Sequence, residues 1–196
     1  NDSTFLTNVG GGMGGGGCDF LYPDGLDGQS VISEASVTNP YTVPIGKRLY
    51  ILSWNGPKPA IQGVACDIVA GAGMPLILNP GEILTNDNNP ATNSGFSGLL
   101  VDENPDINAL TVEITDLIPY QVPTGKKLVI LNYVDGTIRL EGSFVFTDNL
   151  SDGSPIIVDA GTSIETANNF GGVKLNGYLV DENYFAGCGG GGSSSN

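Results

Sequence analysis

The sequence contains one unit twice, and this internal repeat limits what the chain can fold into more than any other feature. The two copies match in three blocks, which follow in the same order at offsets of 79 or 80 residues. The paired blocks are 40–52 with 119–131, 75–84 with 155–164, and 96–104 with 175–183. Three ordered matches within one chain indicate duplication, so the fold is expected to contain two versions of one structural unit.

The repeated blocks have the pattern of β-strands. LYILSW (49–54) and LVILNY (128–133) are short apolar runs bounded by Gly-Lys on one side and by Asn-Gly or Asp-Gly on the other. No apolar pattern with a helical period continues for three turns, and Pro and Gly interrupt the chain throughout. We therefore predict an all-β protein of two tandem, homologous β-sandwich domains, jelly-roll-like, with about six or seven strands each.

The domain boundaries follow from the repeat and from the glycine-rich ends. We place a Gly-rich segment at 1–18, the first sandwich at 19–105, the second at 106–187 and a Gly/Ser-rich tail at 188–196. Glycine tracts bury little apolar area, which favours flexible linkers. The alternative is that their backbones pack closely against neighbouring chains in an assembly.

Each copy carries a Tyr-x-Val-Pro-x-Gly-Lys motif. It consists of Tyr41, Pro44, Gly46 and Lys47 in the first copy and of Tyr120, Pro123, Gly125 and Lys126 in the second. Proline fixes φ, glycine permits a turn, and a lysine at a strand entrance discourages edge pairing. The functional alternative is that the lysine forms an isopeptide bond with a buried Asn or Asp.

The three cysteines have different surroundings in the sequence. Cys66 lies in a strand-like pattern and is interpreted as a small buried apolar residue. Cys18 and Cys188 lie where the glycine tracts meet the repeated part, and a bond between them would tie the two ends together in an exported protein. Other pairings, within or between chains, stay open at this point.

Composition excludes several classes of function. The chain has 21 acidic and 7 basic residues, a formal charge of −14 that opposes binding to nucleic acid or to anionic lipid. It has no histidine, which removes the commonest general base and metal ligand. No apolar run is long enough to cross a membrane. Because residue 1 is Asn, we expect a processed chain that has lost an export signal.

Two kinds of ligand site are considered. Asp87, Asp148 and Asp152 lie in Asn-rich loops and are candidate calcium ligands, although neither loop has the spacing of a known calcium motif. Apart from calcium, no cofactor is expected. Trp54 and Tyr133 are candidate platforms for a glycan, but they occupy matching positions in the repeat, which favours packing in the core.

The Tyr-x-Val-Pro-x-Gly-Lys start and the (Phe/Leu)-x-Gly-(Leu/Tyr)-Leu-Val end of each copy resemble β-sandwich repeat modules of bacterial surface adhesins, filaments and phage fibres, across roughly residues 30–183. The resemblance implies a rigid unit that builds length or presents a surface. We predict a non-catalytic extracellular structural subunit that assembles with copies of itself. The alternatives are a glycan-binding adhesin module and, less favoured, a hydrolase that uses paired carboxylates.

Overall fold

The computed structural model describes residues 18–66, 74–87, 92–115, 117–146, 154–166, 172–186 and 188. These ranges contain β-strands and no helix, which confirms the all-β prediction. In the N-terminal half the strands are β1 Gly28–Ala35, β2 Tyr41–Thr42, β3 Lys47–Asn55, β4 Pro59–Ile61, β5 Val64–Ala65, β6 Leu76–Leu78, β7 Ile83–Asn86 and β8 Ser94–Asp102. In the C-terminal half they are β9 Asn108–Ile114, β10 Tyr120–Gln121, β11 Lys126–Val134, β12 Ile138–Leu140, β13 Ser143–Phe146, β14 Ile156–Val158, β15 Ser163–Thr166 and β16 Val173–Asp181.

The strands form four antiparallel sheets, two in each half. The N-terminal half has a main sheet with the order β1-β8-β3-β6 and a small sheet with the order β2-β7-β4-β5. The C-terminal half has a main sheet β9-β16-β11-β14 and a small sheet β10-β15-β12-β13. Each C-terminal strand therefore occupies the place of the strand eight positions earlier in the chain. The two halves share one connectivity.

Each half has more strands than the sequence led us to expect. The additional strands are short: β2, β5 and β10 contain two residues each. Two residues are too few to show the alternation of apolar and polar side chains by which a strand is recognised in a sequence. Only pairing with a neighbouring strand makes these segments visible.

The similarity of the halves extends to an irregularity in the third strand of each unit. The register between β3 and β8 shifts after Ile51, and the register between β11 and β16 shifts after Ile130. Such a bulge changes the side to which the following residues point and increases the local twist. The bulge places the second part of β3 and of β11 in equivalent positions of the two main sheets.

The apolar cores join the two sheets of each half. In the N-terminal half, Leu49 and Ile51 of the main sheet belong to one buried cluster with Ile61 and Leu84 of the small sheet. In the C-terminal half, a second cluster includes Leu128 and Ile130 of the main sheet together with Ile138 and Ile164 of the small sheet. Burial of such side chains contributes about 1.5–3 kcal/mol each.

Within the described ranges, no helix has the length and hydropathy needed to cross a membrane.

Candidate functional site

The two halves meet through the outer faces of their main sheets. A third buried apolar cluster joins Tyr50 and Val101 of the N-terminal half to Val129, Tyr178 and Val180 of the C-terminal half. Because successive residues of a strand point to opposite faces, these side chains point away from the core of their own half. Both main sheets are therefore apolar on both faces over this region, and the halves form a common buried junction.

Polar side chains complete this junction by binding the backbone of an edge strand. The N–H of Ile77 in β6 donates a 2.9 Å hydrogen bond to Oδ1 of Asn176, and Nδ2 of Asn176 donates a 2.9 Å bond back to the Ile77 carbonyl. Nδ2 of Asn132 donates to the carbonyl of Pro75 at 2.8 Å. Since β6 is at the edge of its sheet, these amides pair backbone groups that an edge strand otherwise leaves open. The C-terminal half thus recognises the edge of the N-terminal half.

A buried ion pair lies beside this junction. Nε of Arg48 is 2.8 Å from Oδ2 of Asp24, and the two side chains are 1% and 0% exposed. The guanidinium also donates to Oδ1 of Asn79 at 2.6 Å and to the carbonyl of Ile107 at 2.6 Å. A buried charge needs such partners to offset its lost hydration. Arg48 thereby ties the segment before β1 to the linker that joins the two halves.

The carboxylate of Asp24 connects two further groups. It accepts a hydrogen bond from the Tyr50 hydroxyl, and its Oδ1 accepts one from the N–H of Asn104 at 2.8 Å. Burial raises the pKa of Tyr50, and the adjacent Asp24 carboxylate raises it further, so the phenol stays protonated. The geometry makes Tyr50 a hydrogen-bond donor that fixes Asp24.

Asn79 holds the start of β9 in place. Its Oδ1 accepts a 2.8 Å bond from the N–H of Ala109, and its Nδ2 donates to the Ala109 carbonyl at 2.7 Å. The backbone N–H of Asn79 donates to Oε2 of Glu82 at 2.8 Å. Burial raises the pKa of Glu82, and these contacts with Asn79 oppose the shift. The group positions the start of β9, and Asn79 and Glu82 also line a surface pocket with Arg48.

The two ends of the described chain meet at the same junction. Cys18 and Cys188 form a disulfide with a Cα–Cα distance of 5.4 Å, across a sequence separation of 170 residues. Nearby, the Tyr178 hydroxyl donates a 2.8 Å bond to the carbonyl of Phe20, whose ring lies 4.5 Å from that of Phe185. Burial is the main cause that raises the pKa of Tyr178. The segments next to both glycine tracts are therefore held together.

A surface ion triad also links the halves. Asp135 accepts from Nζ of Lys174 at 2.7 Å and from Nζ of Lys58 at 3.3 Å, and only Lys58 belongs to the N-terminal half. The hydrogen bond from Lys174 is the first cause that lowers the pKa of Asp135, and both lysine charges add to it. The carboxylate bridges the two halves at their surface.

The repeated turn motif has the same geometry in both halves. Gly46 and Gly125 have φ values of 76° and 75°, the left-handed region in which a side chain is strained. The N–H groups of Lys47 and Lys126 donate to the carbonyls of Pro44 and Pro123, both at 3.1 Å. Tyr41 and Tyr120, the first residues of β2 and β10, are half-buried, and burial raises the pKa of both. The motif forms a turn between two strands.

The motif lysines form exposed cross-strand ion pairs. Nζ of Lys47 lies 2.6 Å from Asp102, and Nζ of Lys126 lies 2.6 Å from Asp181, with carboxylate side chains 88% and 66% exposed. Both lysines are in inner strands of their sheets, so they do not guard an edge as the motif suggested. An isopeptide bond requires a buried acid beside the amine, whereas these carboxylates face solvent.

The candidate glycan platforms belong to the cores. Tyr133 is 2% exposed and lies in the C-terminal core cluster, so its ring offers no face to a ligand. Trp54 is half-buried against the N-terminal cluster, with its ring stacked on that of Phe96 at 6.2 Å, and its Nε1 donates to the carbonyl of Pro57. Both aromatic rings pack as equivalent parts of the two units.

The remaining candidates are separated. Asp87 is exposed at the end of β7, and its N–H donates to the carbonyl of Lys58, while Asp148 and Asp152 lie outside the described residues. Across the described ranges, no group of three or more His, Cys, Asp or Glu side chains is placed to hold a metal ion. Cys66 is buried in the N-terminal core cluster.

Sequence reasoning missed the residues that make the junction. Asn132 and Asn176 lie inside repeated blocks, but the equivalent residues of the first copy are Ser53 and Ser97. This difference within matched blocks was the available signal, because a polar residue in an apolar strand needs a partner when it is buried. Asp24 lies outside the repeat and gave no signal.

Comparison of the chain with protein-family models, with curated proteins and with solved structures found no match.

Proposed function

We propose that the chain is a non-catalytic, extracellular structural subunit, built from two tandem jelly-roll sandwiches, which assembles with copies of itself into a filament, appendage or fibre. The strand orders support the two-sandwich part of the proposal. In each half, two four-stranded antiparallel sheets share one apolar cluster, and strands alternate between the sheets as in a jelly roll.

Recognition of one unit by the other is the observation that carries the assembly proposal. The two units of the repeat bind each other through an apolar cluster and through side-chain amides on an edge strand. A unit that already has a surface for its own copy is suited to building larger arrays. Head-to-tail contacts of this kind generate rings or filaments, depending on whether the rotation between units closes.

The closed ends support an architectural role outside the cell. The Cys18–Cys188 disulfide joins the two ends of the described chain, which in the sequence are the residues next to the glycine tracts at 10–17 and 189–192. Disulfides persist in oxidising surroundings, which is consistent with an exported protein. The buried polar groups near the junction have structural partners within the chain, consistent with a rigid block.

The test is the size of the purified full chain under oxidising conditions. We expect size-exclusion chromatography with light scattering to show species that grow with protein concentration, and negative-stain microscopy to show regular rings or filaments. A monodisperse monomer at all concentrations up to the millimolar range, with no regular particles on grids, would contradict the proposal.

A further inference from the structure

The C-terminal half has a surface that receives an edge strand. This C-terminal receiving face consists of Thr111, Leu131, Asn132 and Asn176 on the outer side of its main sheet. Register places Asn176 between Thr111 and Asn132 on neighbouring strands, and Nδ2 of Asn176 also donates to Oγ1 of Thr111 at 2.9 Å. The face binds β6 of the N-terminal half at Ile77, which is 0% exposed there.

The same positions of the N-terminal half form an uncovered counterpart. The N-terminal receiving face consists of Ile32, Leu52, Ser53 and Ser97, the repeat equivalents of the four residues above. Register places Ser97 between Ile32 and Ser53, as Asn176 lies between its neighbours, and the two serine Oγ atoms are 2.7 Å apart. The geometry of the backbone is therefore repeated, with hydroxyls where the other half has amides.

Burial differs sharply between these equivalent positions. Leu131 is 0% exposed, whereas Leu52 is 48% exposed and Ile32 is 87% exposed. Neighbouring large apolar side chains that are exposed to water are typical of an interaction surface. The N-terminal receiving face thus has the apolar character of an interface and no partner within the described part of the chain.

The edge that would fill this face is also present and is exposed in the part of the chain that the structure describes. Ile157 in β14 is the equivalent of Ile77: it pairs with Val129 as Ile77 pairs with Tyr50, at the edge of the main sheet. Ile157 is 42% exposed, whereas Ile77 is 0% exposed. One half therefore uses its edge and leaves its face open, and the other half uses its face and leaves its edge open.

We infer that a second copy of this chain occupies the N-terminal receiving face with the β14 edge of its C-terminal half, and so repeats between chains the edge-on-face part of the contact that joins the two halves within a chain. This inference rests on the proposed function and names the surface by which assembly occurs. Ile157 packs between Ile32 and Leu52, and the hydroxyls of Ser53 and Ser97 bond the free backbone groups of β14, since a hydroxyl both donates and accepts.

The contact is heterologous, because it joins two different surfaces of the chain. A bound pair of copies therefore keeps one free face and one free edge, and growth continues until a ring closes or a filament forms. Serine reaches less far than asparagine and makes fewer hydrogen bonds. The contact between chains is consequently weaker than the one between halves, and its assembly depends on concentration.

Two charge substitutions on the full chain test this interface. Leu52→Asp blocks the face and Ile157→Asp blocks the edge, and both positions are exposed enough for the variants to fold, which far-UV circular dichroism checks. Burying an unpaired carboxylate is costly, so we expect each variant alone to self-associate at least about tenfold more weakly in analytical ultracentrifugation. Ile45→Asp is the matched control: Ile45 is 85% exposed and lies on neither surface, and this variant should assemble like the unmodified chain.

Mixing the two blocked variants gives the decisive result. Leu52→Asp retains a good edge and Ile157→Asp retains a good face, so an equimolar mixture should form dimers that contain one chain of each and should not grow further. Mixtures that stay monomeric, or single variants that assemble like the control, would overturn the inferred interface while leaving self-assembly in place. If the unmodified chain itself never assembles, both the interface and the proposed function are wrong.

Discussion

The starts of β3 and β11 occupy equivalent places in the two halves, but a basic side chain is buried at the first and partly exposed at the second. In the N-terminal half, Arg48 is buried with Asp24 and bonds Asn79. At the equivalent positions of the C-terminal half, Nζ of Lys127 lies 2.6 Å from Asp159, with side chains 25% and 80% exposed. Duplication supplied both units with a basic residue at this place, and the N-terminal segment and the linker cover only one of them.

This contrast teaches where the units are free to differ. The core clusters, the strand orders and the bulges agree between the halves, because each pair of sheets must fill its own interior. The outer faces of the main sheets disagree, since one is covered where the other is open. Differences between the copies therefore mark contacts beyond the unit itself.

Arg48→Ala should have the largest effect on stability. It leaves the Asp24 carboxylate buried and unpaired, which typically costs about 3–5 kcal/mol. The matched variant Lys127→Ala removes an exposed pair and should cost less than about 1 kcal/mol. Urea unfolding followed by fluorescence measures both, and equal losses in the two variants would show that the burial contrast has no energetic consequence.

Asn176→Ala is expected to weaken the contact between the halves. It leaves the N–H and carbonyl of Ile77 without their partner in a buried place, at about 1–3 kcal/mol for each such group. Ser97→Ala at the equivalent position removes only an exposed hydroxyl pair and should change the unfolding free energy by about 0–1 kcal/mol. Hydrogen exchange at Ile77 should rise in the first variant alone; unchanged protection there would contradict the role of Asn176.

Gly98→Ala and Gly177→Ala should cost similar amounts, because both glycines lie where strands of the same unit approach closely. A Cβ would be 2.5 Å from the Tyr50 carbonyl oxygen at Gly98 and 2.1 Å from the Val129 oxygen at Gly177. Overpacking of this kind typically costs about 1–3 kcal/mol. Thermal unfolding measures the two losses. A large loss of stability in only one variant would mean that the packing around the two glycines differs, although the strand registers are the same.

Asp135→Asn should have the smallest effect, and one that depends on pH. The pKa of Asp135 is lower in the folded chain than its ordinary value near 3.8. The ionised carboxylate therefore stabilises the fold above that value, and this contribution disappears as pH falls through the folded-state pKa. Because the group is 40% exposed, we expect at most about 1 kcal/mol at pH 7.

The control for Asp135 is Asp27→Asn, since Asp27 is exposed. Urea unfolding at pH 7 and at pH 3 should show the difference between Asp135→Asn and the unmodified chain shrinking at the lower pH. If the difference in unfolding free energy is the same at pH 7 and at pH 3, the charge of Asp135 does not stabilise this contact.

Much of the fold could be predicted from particular residues. The apolar runs at 49–54 and 128–133 are inner strands, and the positive φ of Gly46 and Gly125 follows from the turn between Pro and Lys. The two-residue strands could not be predicted, because their pairing is set by distant neighbours. The junction was out of reach for a similar reason: Asp24 meets Arg48 and Asn176 meets Ile77 only after both halves have folded.

The sequence alone determined that this protein has two related β-rich halves, because apolar periodicity and repeated blocks are local properties that survive in the order of residues. Only the tertiary structure decided which of two equivalent surfaces is buried. That choice depends on how one unit lies against the other. The packing of a sheet face on an edge strand involves residues of both units, so the sequence of one copy does not predict it. Leu131 and Leu52 occupy the same place in the repeat, yet one is in the junction and the other faces water.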